Sequence, residues 1–517
     1  MRRLARRSTR RLLAIAVTAA LLSVSAGTAE AVAGGPGTER QDDAVLLQYA
    51  RDTWRSMTAS VEPGTHLIAD NIDGTLRTRS RYTSPTNIGA YLWSTVAARD
   101  LGIIRDAEAR RRIGKTLDAL ARLKRHEYSG MFYNWYDPVT GEVLRTWPEN
   151  GDPVHPFLST VDNGWLAAAL MVVRQAMPSL RDRAQALLEP MDFGFYYNAE
   201  SRGPDIKAGA MRGGFWDEEP PGCSVRGNYR GRGPDVFYTC HHYDTLNSET
   251  RIAGYVAMAR GQVPREHYFA LWRTLPDTCD FGWAEMKPTG PTRTYLGIPV
   301  FEGVYDYHGF KVVPTWGGDM FEALMPDLFV PEASWGPRSW RINHPRYVRA
   351  QIHHGLEDAK YGYWGFSPAS NPAGGYREYG VDALGQDTDG YTSDQERTSV
   401  DYGFGDCRPA KPEPASYGDG VVTPHASFLA LPYAKQAAMD NLAKLRTDFD
   451  GYGPGGFYDS IAVRSKTVAK RYLALDQGMI MGALGNVLAR GALHRYFTHG
   501  EAERVLKPLL AVERFGF

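Results

Sequence analysis

The chain has 517 residues, and Lys+Arg balances Asp+Glu at 59 each, so no basic excess points to nucleic acid as a partner. Hydrophobic residues make up 43%, enough for a large core, and aromatics 12%, with 29 Tyr and 12 Trp. Such an aromatic stock suits a Tyr-rich core and stacking against sugar rings alike, and composition alone does not separate the two.

At the N-terminus, the basic stretch MRRLARRSTRR precedes the apolar run LLAIAVTAALLSVSA, followed by Ala-x-Ala cleavage options at Ala29-Glu30-Ala31 and Ala31-Val32-Ala33. This predicts a signal peptide over 1–33 and a secreted, extracellular protein. Thr9-Arg10-Arg11-Leu12-Leu13 is close to a twin-arginine signal, with the Sec route equally open. The run is short for a membrane span and no later segment reaches that apolar length, so no membrane partner is expected after cleavage. Residues 34–41 read as a flexible leader, and 42–517 as one domain. Of the four cysteines, Cys223 with Cys240 would close a Gly/Arg/Pro-rich loop, although three pairings are possible. No Cys-x-x-Cys spacing suggests structural zinc.

Apolar residues at i, i+3, i+4 and i+7 predict helices over 43–57, 87–101, 106–123, 161–175, 180–188 and 248–260, then 320–328, 347–358, 433–445, 477–488 and 501–510. Apolar coverage nearly surrounds 161–173, which implies a helix buried among neighbours. No linker divides these segments. The expected fold is therefore all-α: a single α/α toroid with two concentric helix rings. The loop-rich tracts 200–238 and 371–417 are long enough to be functional and would form the rims of a cleft at one end.

A toroid cleft suits glycoside hydrolysis, which needs two carboxyl groups across a sugar. Carboxylates beside aromatics and glycines at helix ends are therefore the candidates. Glu249 follows Asn247-Ser248 at the start of a helix, where it could equally serve as a capping-turn residue. Asp319 and Glu322 follow Trp316-Gly317-Gly318, with the spacing of a capping box as the plainer explanation. Asp162 opens the very apolar helix after Ser159-Thr160-Val161, again with a cap as the alternative. Phe132-Tyr133-Asn134-Trp135-Tyr136-Asp137 could stack sugars or close a hydrophobic turn. Trp364-Gly365-Phe366-Ser367-Pro368, Tyr376-Arg377-Glu378, Gly456-Phe457-Tyr458-Asp459 and Leu475-Asp476-Gln477-Gly478 repeat the pattern at loop–helix junctions. The adjacent His241-His242 with Tyr243 admits a different chemistry. A polysaccharide lyase could abstract a proton with Tyr or His, with Arg226, Arg230 and Arg232 near a uronate. Adjacent histidines point apart, so a metal role for them is not expected.

These residues also carry a resemblance. Tyr82–Gly89, Phe132–Asp137, Ser159–Asp162, Tyr243–Trp272 and Met320–Pro326 resemble the glycoamylase-like domain of cyclic β-1,2-glucan synthases. Trp364–Ser367, Asp419-Gly420, Thr423-Pro424, Gly456–Asp459 and Tyr472–Gly478 are similar to the secreted endo-β-1,2-glucanases of glycoside hydrolase family 144. Proteins of the DUF3131 type share the pattern, and the resemblance spans roughly 45–490. It implies an (α/α)6 barrel, a catalytic domain over 42–517, a glycan substrate rich in β-1,2-linked glucose, and Glu249 as the catalytic acid. In the synthase domains a nucleophilic glutamate follows the Trp-Gly-x-Ser segment. Here that position is Pro368, which implies an inverting hydrolase with its general base among Asp162, Glu322, Glu378 and Asp459. Expected substrate contacts are Tyr133, Asn134, Trp135, Asp137, His242, Tyr243, Trp316, Trp364, Tyr376 and Tyr458. No cofactor or metal is implied. The insertion 371–417 departs from the family pattern and leaves room for another linkage, or for a glycan-binding protein with a degenerate site.

Overall fold

Two serines start two buried helices in the same way. Ser84 Oγ accepts from the Asn87 N–H, with Pro85 in the first turn, and opens helix Pro85–Asp100. Ser159 Oγ accepts from the Asp162 N–H and opens helix Thr160–Ala176. The computed structural model describes residues 36–517 except 207, 229–230, 232, 282–283, 387–401 and 412–416. The expected signal peptide and the lyase candidates Arg230 and Arg232 lie outside the described residues. The expected flexible leader is helical from Pro36, within helix Pro36–Ala59.

Within the compact unit Asp42–Phe517, the most buried helices pack in succession. Arg251–Ala259 packs on Thr160–Ala176, which packs on Pro85–Asp100; Ala474–Leu488, Pro424–Leu429 and Met320–Leu324 continue the series. Arg251 then donates to the carbonyls of Glu322 (2.8 Å) and Ala323 (2.7 Å), linking the last helix to the first. Helices Asp106–Arg122, Arg181–Leu188, Trp340–His353, Leu431–Thr447 and Glu501–Val512 each cover one of these inner members. Their apolar stripes face inward, as with Ala109, Ile113, Leu117 and Leu120 of Asp106–Arg122. No described helix is long and apolar enough to cross a membrane.

The inner helices approach closely at glycines. A Cβ on Gly164 would sit 2.9 Å from Ala253 Cα, and one on Gly478 would sit 2.7 Å from Ala90 Cβ.

The all-α expectation needs correcting. Among the described residues, strands of two to four residues form eight small sheets between the helices. The largest joins Phe157–Ser159, Gly214–Trp216, Val236–Thr239 and Ser224–Gly227, so most of it is built from the tract expected to be loop. Long loops over a helical core carry backbone N–H and C=O groups that must pair, and short hairpins satisfy them where helix does not form. Disulfides Cys223–Cys240 and Cys279–Cys407 tie these tracts together. Two helix limits also differ. The helix expected from 248 starts at Arg251, and the one expected over 347–358 is Trp340–His353 followed by a π turn, His354–Asp358.

Replacing Gly164 with Ala should destabilise the fold. Helix propensity gains about 1 kcal/mol, but the new methyl meets backbone of the neighbouring helix, and overpacking of this kind costs about 1–3 kcal/mol. Thermal unfolding reads the sign; a raised midpoint would mean that these two helices do not touch.

Candidate active site

Two recesses meet at Glu249. One, of about 440 Å3, is walled by Tyr82, Trp135, Trp147, Asp162, Trp165, Tyr376 and Glu378, with Asp70 and Pro368 also lining it. The other, of about 660 Å3, is walled by His242, Tyr243, Asp244, Trp316 and Glu322. Both volumes fall in the range of small-molecule sites. A recess of about 450 Å3 among Arg174, Gln185, Arg260 and Glu501 contains none of the residues expected from the sequence.

Glu249 does not cap its helix. Ser248 Oγ accepts from the Thr250 N–H at 3.3 Å, and the regular helix begins at Arg251, so Glu249 stands in the turn ahead of it. Its Oε2 accepts from the indole N–H of Trp165. Burial raises its pKa to about 8; the Trp165 bond and Arg251 oppose the rise, while the charges of Asp162 and Glu322 add to it. Glu249 is therefore largely protonated at neutral pH, yet it stays partly open to the recesses. A proton donor facing a cleft requires both properties.

The neighbouring carboxyls are held firmly. Asp162 Oδ1 accepts from Thr86 Oγ1 at 2.6 Å. With the Asn134 amide oriented to suit its neighbours, Asn134 donates to Asp162 Oδ2 at 2.7 Å and accepts from Trp135 Nε1 at 3.2 Å. Burial raises the Asp162 pKa, against the pull of those hydrogen bonds. Asp319 caps helix Met320–Leu324 by accepting from the Glu322 N–H at 2.8 Å. Glu322, however, does not complete a capping box. Its carboxylate turns away to accept from Gly317 N–H (3.0 Å) and Ser248 Oγ (3.4 Å). Burial raises it to about 7 despite those donors.

Arg251 organises this group. It donates to the Ser248 carbonyl (2.8 Å), the Glu322 and Ala323 carbonyls, and the Glu332 carboxylate (2.7 and 2.9 Å). Glu332 also accepts from Tyr255 Oη and contacts His344 Nε2 at 3.0 Å. Burial opposes the Glu332 charge, but Arg251 outweighs it and holds the carboxyl at about 2.

Several expected contacts fall elsewhere. Tyr133 is 2% exposed, with its hydroxyl on Asp217 at 2.6 Å. Trp364 is 2% exposed and packed in the core, its backbone bonded to the Asn441 amide. Tyr458 is buried against Tyr472, and Asp137 organises a turn and pairs with Arg81. None of the four lines a recess, because core and turn packing take up their rings or charge. Asp459 is also buried. It accepts from Ser370 N–H at 2.6 Å, and its other partner is the carboxyl of Asp476, so one proton must be held between them. Burial raises both, Asp476 to about 7.

Asn134, Trp135, His242, Tyr243, Trp316, Tyr376, Asp162, Glu322 and Glu378 do line the two recesses. Tyr376 has an exposed ring, while its hydroxyl is sunk near Asp476, Asp459 and Glu378, whose charges add to burial in raising its pKa.

Asp70, Trp147 and Tyr82 are also in the wall and were not selected from the sequence as site residues. Asp70 accepts from Asn87 (2.8 Å) and Asn71 (3.1 Å), and burial raises its pKa. It precedes strand Asn71–Asp73, away from any helix start, so the helix-junction criterion passes over it. Its one sequence signal is Asn87, inside the Tyr82–Gly89 motif.

The helix-rich fold is shared with known proteins. Residues 291–501 match the family model Glycoamylase, described as "Putative glucoamylase", and residues 48–195 match DUF3131, a protein family of unknown function. The resemblance to glycoamylase-like proteins thus extends over both parts of the chain. The cyclic β-(1,2)-glucan synthase NdvB of Rhizobium meliloti is 23% identical over 87% of this chain; the chain spans only 18% of that protein's length. Among solved structures, a putative glucoamylase from Bacteroides fragilis matches with TM-score 0.61 at 20% identity, covering 90% of this chain and 96% of that one. An endo-β-1,2-glucanase from Chitinophaga pinensis, in complex with sophorotriose and glucose, matches with TM-score 0.60 at 16% identity, covering 90% and 98%. The endo-β-1,2-glucanase of Talaromyces funiculosus, in complex with sophorose, matches with TM-score 0.61 at 14% identity, covering 92% and 88%.

Replacing Glu332 with Gln leaves the Arg251 charge buried without its counter-ion and should cost about 3–5 kcal/mol of stability. Because the folded pKa of Glu332 lies below the unfolded value, its contribution is present above about pH 4.3 and is lost as pH falls towards about 2. Denaturant unfolding of wild type and E332Q at pH 7 and pH 3 should therefore show the gap narrowing in acid.

Proposed function

We propose that the chain is an exported glycoside hydrolase with an (α/α)6 toroid fold that cleaves β-glucan, β-1,2-glucan being the substrate, by an inverting mechanism with Glu249 as general acid. The observation that carries this reading is a carboxyl with its pKa raised to about 8, facing an aromatic-walled cleft at the junction of two recesses. The closed succession of inner helices supports the toroid. The β-1,2-glucanases among the structural relatives support the substrate class, and the two disulfides suit an oxidising compartment.

In the proposed reaction the glucan lies across Glu249, its sugar rings against Trp135, Trp147 and Tyr82. These rings form one cluster, with centroids 4.4 Å apart for Tyr82–Trp147 and 5.3 Å for Trp135–Trp147. Glu249 gives its proton to the glycosidic oxygen as the bond to the anomeric carbon breaks. A water attacks that carbon from the opposite face and passes its proton to a second carboxylate, giving a product of inverted configuration. Pro368 lines the cleft at the position where the resemblance implies the synthase nucleophile, and proline has no carboxylate to form a glycosyl intermediate.

Asp162 and Glu322 lie beside the acid and serve to raise its pKa, so the base is assigned to Glu378, which lines the recess together with Tyr376, whereas the Asp459–Asp476 pair is buried and lines neither recess. The lyase alternative is disfavoured by Tyr243, whose phenol burial and the Glu249 charge push further up, and by Arg226, which pairs with Asp235.

E249Q should lower kcat on linear β-1,2-glucan by about 10²–10⁴-fold, with new reducing ends as the readout. In the wild type, activity should fall as pH rises through about 8, where Glu249 loses its proton. D162N removes a neighbouring negative charge, lowers the Glu249 pKa and should move that alkaline limb towards acid. Full activity of E249Q, or unsaturated products from the wild type, would remove the proposal. E378Q and D459N, assayed with and without azide as a substitute nucleophile, identify the base: only the variant lacking it should be rescued. NMR of the first product should show the inverted anomer.

A further inference from the structure

The segment after helix Trp340–His353 is unusual: it continues as a single π turn, His354–Asp358. A π turn has i→i+5 bonding, so residues five apart stack above one another, and π turns recur at functional sites. Here the wide turn brings Asp358 alongside His353, with His353 Nε2 3.5 Å from Asp358 Oδ1. A third group arrives from a separate element. The hairpin of Tyr305–Tyr307 and Phe310–Val312 turns through His308, whose backbone takes φ 51°, a conformation that favours glycine. That turn sets His308 Nε2 3.1 Å from Asp358 Oδ2, and the rings of His308 and His353 lie 4.6 Å apart.

We propose that His308, His353 and Asp358 form a binding site for a divalent transition-metal ion of the zinc type, outside the catalytic cleft. Two imidazoles and a carboxylate are a donor set that suits such ions. Zinc bonds of about 2.0–2.2 Å place adjacent ligand atoms of a tetrahedron about 3.3–3.6 Å apart; here each imidazole Nε2 stands at a comparable distance from Asp358, His353 from Oδ1 and His308 from Oδ2. The three donor atoms lie within 4.8 Å of one another. The site is reachable, with the His308 side chain 50% exposed.

Its supporting shell is also in place. Tyr307 donates its hydroxyl to Asp358 and lies 3.3 Å from His354 Nδ1, which orients the carboxylate. The ion would clamp the hairpin to the π turn, beside Tyr402 and Tyr417 of the tract 371–417, whose rings contact Tyr307 and His354. This site was not expected from the sequence, which implied no metal. A second His/Asp/Glu group, Asp327–Glu332–His344, is excluded by the Arg251 guanidinium bonded to Glu332.

The test uses the untagged full chain, stripped with EDTA and gel-filtered. Zinc chloride is titrated calorimetrically, and retained metal is measured by mass spectrometry. The expected result is one zinc per chain and a raised thermal midpoint in its presence, both lost in H308A. The Y307F variant should bind about 10–100-fold more weakly, while E249Q should bind as wild type does. H308A changes a half-exposed side chain, and circular dichroism without zinc checks that it folds. No retained zinc and no calorimetric heat for wild type, or equal binding by H308A and wild type, would overturn the assignment.

Discussion

The site depends on the Arg251 guanidinium. Two residues after Glu249, it binds the Ser248 carbonyl on its own turn, the Glu322 and Ala323 carbonyls on the neighbouring helix, and the Glu332 carboxylate beyond them. One side chain thus sets the spacing between the turn that carries Glu249 and the helix that carries Glu322. It is fully enclosed, so its charge could not be accommodated without Glu332; the ion pair and the geometry of the acid are one constraint.

That arrangement gives two nearby glutamates opposite character. Glu332 meets a guanidinium and is held ionised, at about 2. Glu249 meets an indole N–H and two other carboxyls and is held protonated, at about 8. Burial pushes both upward; the partner decides the outcome. The positive charge of Arg251 is spent on Glu332, so only a residual part of it reaches Glu249. Asp162 and Glu322 follow the same rule: burial raises both against the pull of their hydrogen bonds, and the charge they carry adds to the rise at Glu249.

The other wall is built differently. It comes from Pro368, Tyr376 and Glu378, in and beside the hairpin of Ala369–Ser370 and Tyr376–Arg377, while the Asp459–Asp476 pair is buried and lines neither recess. From the tract 371–417 come Tyr376 and Glu378, which line the recess, and disulfides Cys223–Cys240 and Cys279–Cys407 cross-link segments in or next to the two tracts.

Local sequence determined the helices, and the family resemblance, more than local sequence, singled out Glu249 as the proposed acid. Apolar periodicity marked the long buried helices, because a 3.6-residue repeat is written within a few turns of chain. Asn247-Ser248-Glu249 was by itself equally a capping turn, and it gained weight only as part of the stretch that resembles the glycoamylase-like domain. Tertiary structure alone decided the rest. It put Asp70 in the cleft and Tyr133, Trp364 and Tyr458 in the core, because whether a ring faces sugar or packing depends on neighbours hundreds of residues away. It turned the Glu322 carboxylate from its own cap to Gly317 and Ser248. It also set the Glu249 pKa, which arises from burial and from the charges of Asp162 and Glu322 on two other segments of the chain, and no window of sequence contains those distances.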